Sequence, residues 1–380
     1  MKWETVKLGD IADFSNGLNF DKRAYSDGVK LVGVSNFGNR FSPDISELSE
    51  VSSEVVREAD LLQAGDIVFV RSNGNKELVG RCMLIAEATE PVTYSGFVIR
   101  CRIHNPRKYD PVFFTYHFKN KAFRRAMAGT AVGANIQNLS QGRLSSYAAF
   151  VPDTDSQHRI AEMLSAYDDL IENNQKQIKL LEDAAQRLYK EWFIDLRFPG
   201  HESTPIHDGI PEGWERKTVT DLLEIKYGKD HKALADGAIP VYGSGGIMRK
   251  VGPVLYSGES VLIPRKGSLN NILYVAGDFW TIDTMFYSVP KAPNIAKYMY
   301  LFLSRLDMYS FNIGAAVPSM TVKILDEINV LLPSAEILLR FESVISPMFE
   351  KKRVLEKQIE TASQARDRLL PKLMSGEIEV

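Results

Sequence analysis

The stretch DSQHRIAEMLSAYDDLIENNQKQIKLLEDAAQRLYKEW, residues 155–192, decides the architecture. It holds neither glycine nor proline, so nothing in it breaks a helix. Apolar side chains recur at Ile160, Met163, Leu164, Tyr167, Leu170, Ile171, Ile178, Leu181, Ala185, Leu188 and Trp192. Positions 160, 167, 174, 181 and 188 form a seven-residue repeat broken only by Asn174. That is the pattern of an amphipathic helix seeking a coiled-coil partner. Thr154-Asp155, with Gln157, reads as its start. The stretch spans roughly 57 Å as a helix, more than a compact domain needs. A second seam begins near Ala335 and runs through Phe341, Ile345, Met348, Leu355, Ile359, Ala362, Leu369 and Leu373. Pro347 and Pro371 lie inside it and predict a kink and an early end.

The segments that precede the two helices read differently. Short β-like runs stand at Asp66–Val70, Phe97–Ile103 and Ser260–Ile263, separated by turn signals at Ser72-Asn73-Gly74, Gly243-Ser244-Gly245-Gly246 and Val251-Gly252-Pro253. Each segment fits a mixed α+β domain. The expected order is a globular domain over 1–152, a long helix over 153–196, a Pro/Gly-rich linker over 197–213, a second globular domain over 214–333 and a second long helix over 334–380. The halves are also written in the same order. Trp3-Glu4, Leu8, Asp10-Ile11, Asp13 and Gly17 are answered by Trp214-Glu215, Val219, Asp221-Leu222, Glu224 and Gly228. Gly129-Thr130-Ala131-Val132 is answered by Gly314-Ala315-Ala316-Val317, Val151-Pro152 by Leu332-Pro333, and Arg159 by Arg340. A tandem duplication explains all of these matches together.

Composition sets limits. The 380 residues are 44% apolar and 25% charged, as in a globular chain of two or more domains. With 46 basic and 48 acidic residues the formal charge is −2, which excludes a histone-like coat of positive charge. Cys82 and Cys101 are too few for a disulfide framework or a cysteine-rich zinc site. The opening MKWETVKLGD lacks the apolar core of a signal peptide, and no run approaches 18 apolar residues. A soluble, cytoplasmic protein is the expectation.

The charge is patterned locally. From Pro111 to Pro152 there is no acidic residue, yet Lys119, Lys121, Arg124, Arg125 and Arg143 are present. From Gly237 to Gly277 the only acid is Glu259, against Arg249, Lys250, Arg265 and Lys266. Windows without acids suit a surface that meets phosphates. Two loops suit base reading: Arg71-Ser72-Asn73-Gly74-Asn75-Lys76, and Arg265-Lys266-Gly267-Ser268-Leu269-Asn270-Asn271, each after a predicted strand. Arginine pairs bidentately with guanine and asparagine with adenine. A third pair of candidates is Asn135-Ile136-Gln137-Asn138 and Ser319-Met320-Thr321-Val322-Lys323.

Catalytic signatures are missing. The only Asn-Pro is Asn105-Pro106-Arg107, which fails the Asn/Asp-Pro-Pro-aromatic loop of an amino-methyltransferase. No phosphate loop occurs, and Tyr242–Gly246 reads as a turn. The histidines at 104, 117, 158, 201, 207 and 231 show no metal-ligand spacing.

The order of parts resembles the specificity subunit of type I restriction–modification enzymes. Trp3-Glu4-x3-Leu8-Gly9-Asp10 opens the first half, and Val151-Pro152 leads into Gln157-x-Arg159-Ile160-Ala161-x2-Leu164. Leu188-Tyr189-Lys190-x-Trp192-Phe193 and Arg197-Phe198-Pro199-Gly200 follow, and Ile210-Pro211-Glu212-Gly213-Trp214 restarts the pattern. The segment Arg366-Asp367-x-Leu369-Leu370-Pro371-Lys372-Leu373-Met374-Ser375-Gly376-Glu377-Ile378 matches the family's terminus, while Leu338 departs from it where the first copy has Gln157. The resemblance implies two target recognition domains, each binding half of a bipartite, asymmetric sequence of double-stranded DNA. It implies that the long helices pair as an antiparallel coiled coil. It implies a subunit without chemistry of its own that docks two modification subunits, which methylate adenine with S-adenosylmethionine, and restriction subunits that use ATP and Mg. No cofactor, metal or membrane is expected for this chain. The rival readings are a fragment of a single-chain restriction–methylation enzyme and a coiled-coil scaffold that binds protein only.

Overall fold

The computed structural model describes residues 2–38, 40–75, 78–127, 137–311 and 318–380. The chain divides into two compact units, Met1–Gln175 with Lys357–Val380, and Lys176–Glu356. The division falls within both long helices.

Unit 1 opens with strand β1 (Trp3–Lys7), a single helical turn α1 (Leu8–Ile11) and strand β2 (Ala12–Asn16). Next come β3 (Tyr25–Val32), β4 (Ser49–Val51), β5 (Ile67–Val70), β6 (Ser72–Asn73), β7 (Cys82–Leu84), β8 (Val92–Tyr94) and β9 (Val98–Ile103). Helices α2 (Pro111–Lys119) and α3 (Lys121–Met127), strand β10 (Gln137–Asn138), helix α4 (Gln141–Ser146) and strand β11 (Ala148–Pro152) lead into the long helix α5 (Thr154–Tyr189). One sheet has the order β2-β9-β5-β7 and another β4-β3-β8. Every residue of β5 is buried, as a central strand with both faces covered requires. On one face Ile67, Phe69, Ile99 and Cys101 meet Phe113, Phe114, Phe118 and Phe123. Asp110 starts α2 by accepting from the Val112 N–H at 2.8 Å, and Pro111 takes the first helical position, where its missing N–H is not needed. β1 lies antiparallel to β11, with Trp3 opposite Pro152.

In unit 2, α5 widens into a π turn at Lys190–Ile194, and a hairpin of β12 (Ile206–His207) and β13 (Ile210–Pro211) follows. Then β14 (Glu215–Thr218), α6 (Val219–Leu222) and β15 (Leu223–Tyr227) repeat the strand–turn–strand opening of unit 1. β16 (Asp236–Gly243), β17 (Gly246–Val251), β18 (Tyr256–Pro264), β19 (Leu273–Thr281) and β20 (Met285–Pro290) complete a six-stranded sheet in the order β15-β20-β18-β19-β16-β17. Helices α7 (Ile295–Leu303) and α8 (Val322–Glu327), strand β21 (Asn329–Leu332) and the long helix α9 (Ala335–Ser375) end the chain. β14 pairs antiparallel with β21, as β1 does with β11. Ser140 caps α4 and Thr321 caps α8 in the same way, each hydroxyl accepting the N–H three residues on at 3.2 Å. The duplication is therefore structural as well as sequential.

Three local expectations change. α9 runs unbroken through Pro347 and past Pro371 to Ser375. Both prolines are exposed, as are Ser343 and Asp367, whose carbonyls lose an N–H partner on a face open to solvent. Ser72-Asn73, a turn signal in the sequence, is strand β6 paired with β10. Phe97, read as the first residue of a strand, sits on the turn before β9.

Each unit holds its share of both long helices through its own contacts. In unit 1, Ile160 and Leu164 share a core with Leu373 and Met374. Tyr116 Oη donates to Asp168 at 2.5 Å, and Arg366 forms an ion pair with the same carboxylate. Asn174 is buried, and its Nδ2 donates to Gln358 Oε1 at 3.1 Å. In unit 2, Ala185, Tyr189 and Phe193 share a core with Leu338, Phe341 and Ile345, and Lys352 pairs with Glu182 at 2.6 Å. Of the other seam residues, Ile171 and Leu355 are buried, while Tyr167, Ile178, Leu181, Leu188, Met348, Ile359 and Leu369 are half-buried. Met163 and Leu170 face solvent. Gln157 is buried and ties the start of α5 down, donating to Pro152 O at 2.9 Å and accepting from the Asp110 N–H at 3.0 Å. Leu338, its counterpart in the second half, fills core instead.

Candidate nucleic-acid interface

β5 is buried to its last residue, Val70, so Arg71 emerges at the rim of the core. Its N–H donates to Phe97 O at 2.8 Å and its Nη1 to Gly96 O at 3.0 Å. Its own carbonyl accepts from Leu139 N at 2.9 Å. In β6 and β10, Ser72 lies opposite Asn138 and Asn73 opposite Gln137. Two segments that the sequence offered as separate candidates are thus one short ribbon. Unit 2 repeats the arrangement. Arg265 N–H donates to Thr284 O at 2.8 Å, its Nη1 to Asp283 O at 3.1 Å, and its carbonyl accepts from Met320 N at 2.8 Å. A β-bridge joins Lys266 to Ser319. Leu139 and Met320 are both buried and pin the second segment to the core. One difference is chemical: the Arg265 guanidinium lies over the Tyr227 ring, 5.4 Å from its centroid.

The remaining candidates sort by what their side chains meet. Asn75, Lys121, Arg125, Asn138, Lys250, Lys266 and Lys323 are exposed, and the Asn75 N–H donates to Asn73 Oδ1 at 2.8 Å. Arg124 is half-buried, and loss of solvent lowers its pKa. Lys119 turns inward: its Nζ donates to Arg40 O at 2.9 Å and lies over Phe41, and burial lowers its pKa. Arg249 braces the loop before β16, pairing with Asp236 at 2.6 Å and donating to Leu234 O at 3.0 Å. Asn270 donates to Asp307 Oδ1 at 3.1 Å and accepts from Met308 N at 2.8 Å, while Asn271 donates to Ser244 O at 2.8 Å. Lys76, Asn135 and the two matched segments 129–132 and 314–317 lie outside the described residues.

Sequence reasoning missed two features. Phe97 and Tyr227, beside the two arginines, are 62% and 55% exposed. The glycine before Phe97 was the available signal. The second feature is a cluster around a buried lysine. Lys297 on α7 pairs with Glu259 at 2.5 Å and with Glu342 of α9 at 2.7 Å, and Tyr274 Oη also donates to Glu259. Burial pulls the Lys297 pKa down, but the two carboxylates outweigh it and raise it. A lone lysine in the run IAKYMYLFL was its mark. The single acid of the second basic window is thus already ion-paired. Among the described residues, no three His, Cys, Asp or Glu side chains gather as a metal site needs, and no helix is long and apolar enough to cross a membrane.

Comparison with known proteins adds to this geometry. A family model described as the type I restriction modification DNA specificity domain matches residues 1–183 and again 211–360. The chain is 28% identical over 308 residues to the type I restriction enzyme MjaIX specificity subunit of Methanocaldococcus jannaschii, covering 70% of this chain and 69% of that one. It is 20% identical over 477 residues to the type I restriction enzyme HindI specificity subunit of Haemophilus influenzae, with 99% of each covered. The crystal structure of a type I restriction–modification system S subunit from M. genitalium superposes with a TM-score of 0.61 at 18% identity, covering 98% of this chain and 96% of that one, a likeness of fold.

Proposed function

The chain belongs to the family of type I restriction modification DNA specificity domains, and from that premise we propose that its two halves are the two target recognition domains of a specificity subunit. Each takes one half of a split, asymmetric duplex sequence. The subunit itself is non-catalytic. One arrangement carries this reading because it occurs twice: a strand-end arginine, Arg71 or Arg265, joined through its carbonyl to a second polar segment. A two-stranded ribbon fits the major groove of B-DNA, and asparagine side chains match adenine there. The first half-site is read around Ser72, Asn73, Asn75 and Asn138, with Lys121 and Arg125 towards the phosphates. The second is read around Lys266 and Ser319, with Lys250 and Lys323 in the phosphate role.

In this proposal residues 1–152 and 214–333 are the recognition domains, 197–213 is a linker, and the helices over 153–196 and 334–380 pair as an antiparallel coiled coil. Within unit 1 the contacts support that direction, since Asp168 meets Arg366 whereas the later Asn174 meets the earlier Gln358. The subunit docks two modification subunits and, with them, restriction subunits. S-adenosylmethionine, ATP and Mg belong to those partners.

The test is to express the chain with its modification subunit and sequence the methylated genome. We expect methylation at one split sequence with unlike halves. Replacing residues 1–152 by the equivalent region of a relative should change one half and keep the other. Methylation without a split motif, or both halves changing together, would refute the two-module reading.

A further inference from the structure

Phe97 is a large apolar side chain held out into water by a backbone that has little freedom to retract it. Its carbonyl accepts from Arg71 N at 2.8 Å, and the carbonyl before it accepts from Arg71 Nη1 at 3.0 Å. Gly96 N–H donates to Leu18 O at 2.6 Å, and Val98 N–H closes the turn onto Ser95 O at 2.9 Å. A Cβ at Gly96 would stand 2.1 Å from Asn19 Oδ1 and 3.2 Å from Leu18 O, so a larger residue would have to displace the Asn19 side chain. The ring is 62% exposed. Arg71, the side chain the sequence marked as a base reader, spends a guanidinium N–H on this turn.

Unit 2 presents a ring beside its corresponding arginine, from a different element. Tyr227 ends β15, packs edge-on against Phe286 at 5.0 Å, and lies against the Arg265 guanidinium while remaining 55% exposed. Arg265 in turn donates to Asp283 O. In each unit the strand-end arginine thus holds a residue with an exposed ring, Phe97 through its backbone carbonyl and Tyr227 through the face of the ring. Rigid placement is what a base contact demands, because the ring then loses little freedom on binding.

Resting on the reading of the units as DNA recognition domains, we propose that Phe97 and Tyr227 are specificity-determining contacts to base edges in the major groove, each meeting a thymine methyl, and that Arg71 and Arg265 are positioning residues that brace them. The partner is duplex DNA because the ring of unit 1 shares its anchor, Arg71, with the ribbon of Ser72–Asn73 and Gln137–Asn138. An apolar ring beside amide donors and acceptors matches the thymine methyl beside the adenine edge.

The experiment uses the full chain purified with its modification subunit, and duplexes carrying the motif found for the wild type. Phe97→Ala should keep the wild-type melting temperature. It should weaken binding on the order of tenfold and level the preference at one A·T pair of one half-site. The slope of log Kd against log salt should stay as in the wild type, because a neutral ring neutralises no phosphate. Replacing that thymine by deoxyuridine, which lacks only the methyl, should cost the wild type about as much and cost Phe97→Ala nothing further. Tyr227→Ala should do the same in the other half-site. Arg71→Lys, which keeps the charge and alters the brace, should resemble Phe97→Ala in motif and in salt slope. Unchanged affinity and motif in Phe97→Ala, equal weakening on all sequences, or indifference to deoxyuridine at every thymine would each overturn the assignment. A wild-type complex that selects no split sequence would instead sink the underlying function.

Discussion

His117 shows how much one side chain can set. It is 7% exposed, its ring lies among Phe113, Phe114, Phe118, Phe123 and Tyr147, and neither ring nitrogen has a hydrogen-bond partner among the described residues. Burial pushes its pKa down to about 4. An unfolded chain takes up that proton near pH 6.5. Below that pH the unfolded state binds a proton that the folded state refuses, so stability falls with pH until the folded imidazole also titrates near 4. The loss is on the order of 3 kcal/mol. Asp153 acts lower. Hydrogen bonds from Lys2 N and Ser156 N hold its carboxyl down to about 2, so its stabilisation persists above the usual carboxylate range and is lost only as pH falls towards 2. Burial also raises the Asp110 and Asp169 carboxyls, which works in the opposite direction as pH falls, so the histidine's share is read from its variant. His117→Phe should flatten the denaturant midpoint of unit 1 between pH 7 and 4.5, and a variant as acid-sensitive as the wild type would assign the effect elsewhere. The spacing of the histidines could not reveal this burial. In the run PVFFTYHFK apolar residues surround the helix, so no face is marked as the inner one.

At the level of elements, the long helices were the most legible part, because a seven-residue period is a local property of the chain. Even the interruption at Asn174 has a structural meaning. The residue is 2% exposed and bonded to Gln358. A buried polar side chain in an apolar seam costs stability and specifies register. We therefore expect Asn174→Leu to raise the thermal midpoint, by about 1 kcal/mol in stability, since Gln358 is exposed and recovers its hydrogen bond from water. A lowered midpoint would mean that the asparagine is a net stabiliser. The two prolines of α9 misled for a definite reason. Sequence shows that a proline lacks an N–H, but not that the bereft carbonyl lies on a face open to solvent. Phe97 misled in the same manner: a β-branched run follows it, and only the braced turn at Gly96 shows that the strand starts one residue later.

For the molecule as a whole, the duplication was legible from the order of motifs, and the strand pairs β1–β11 and β14–β21 give it physical form. The binding surface was less legible. Windows without acids count charges, yet Lys119 and Arg249 lie in such windows and spend their donors on backbone carbonyls, which composition cannot anticipate. One feature of unit 1 reaches furthest. Lys2 bonds to Asp153, Trp3 stacks on Phe150 at 4.8 Å, and Ile378 and Val380 pack on the core that also holds Leu8. Gly376, at φ +74°, would bring a Cβ within 3.1 Å of the Trp3 ring. The two chain ends therefore meet in one unit. A gene with those ends joined by a short glycine–serine bridge, and reopened at the exposed hairpin tip between Asp208 and Gly209, should yield a circular permutant that folds and selects the same target. An altered target, or an insoluble product, would mean that closing the ring strains unit 1. Such a permutant would show that unit 1 folds from contacts that hold wherever the backbone is opened.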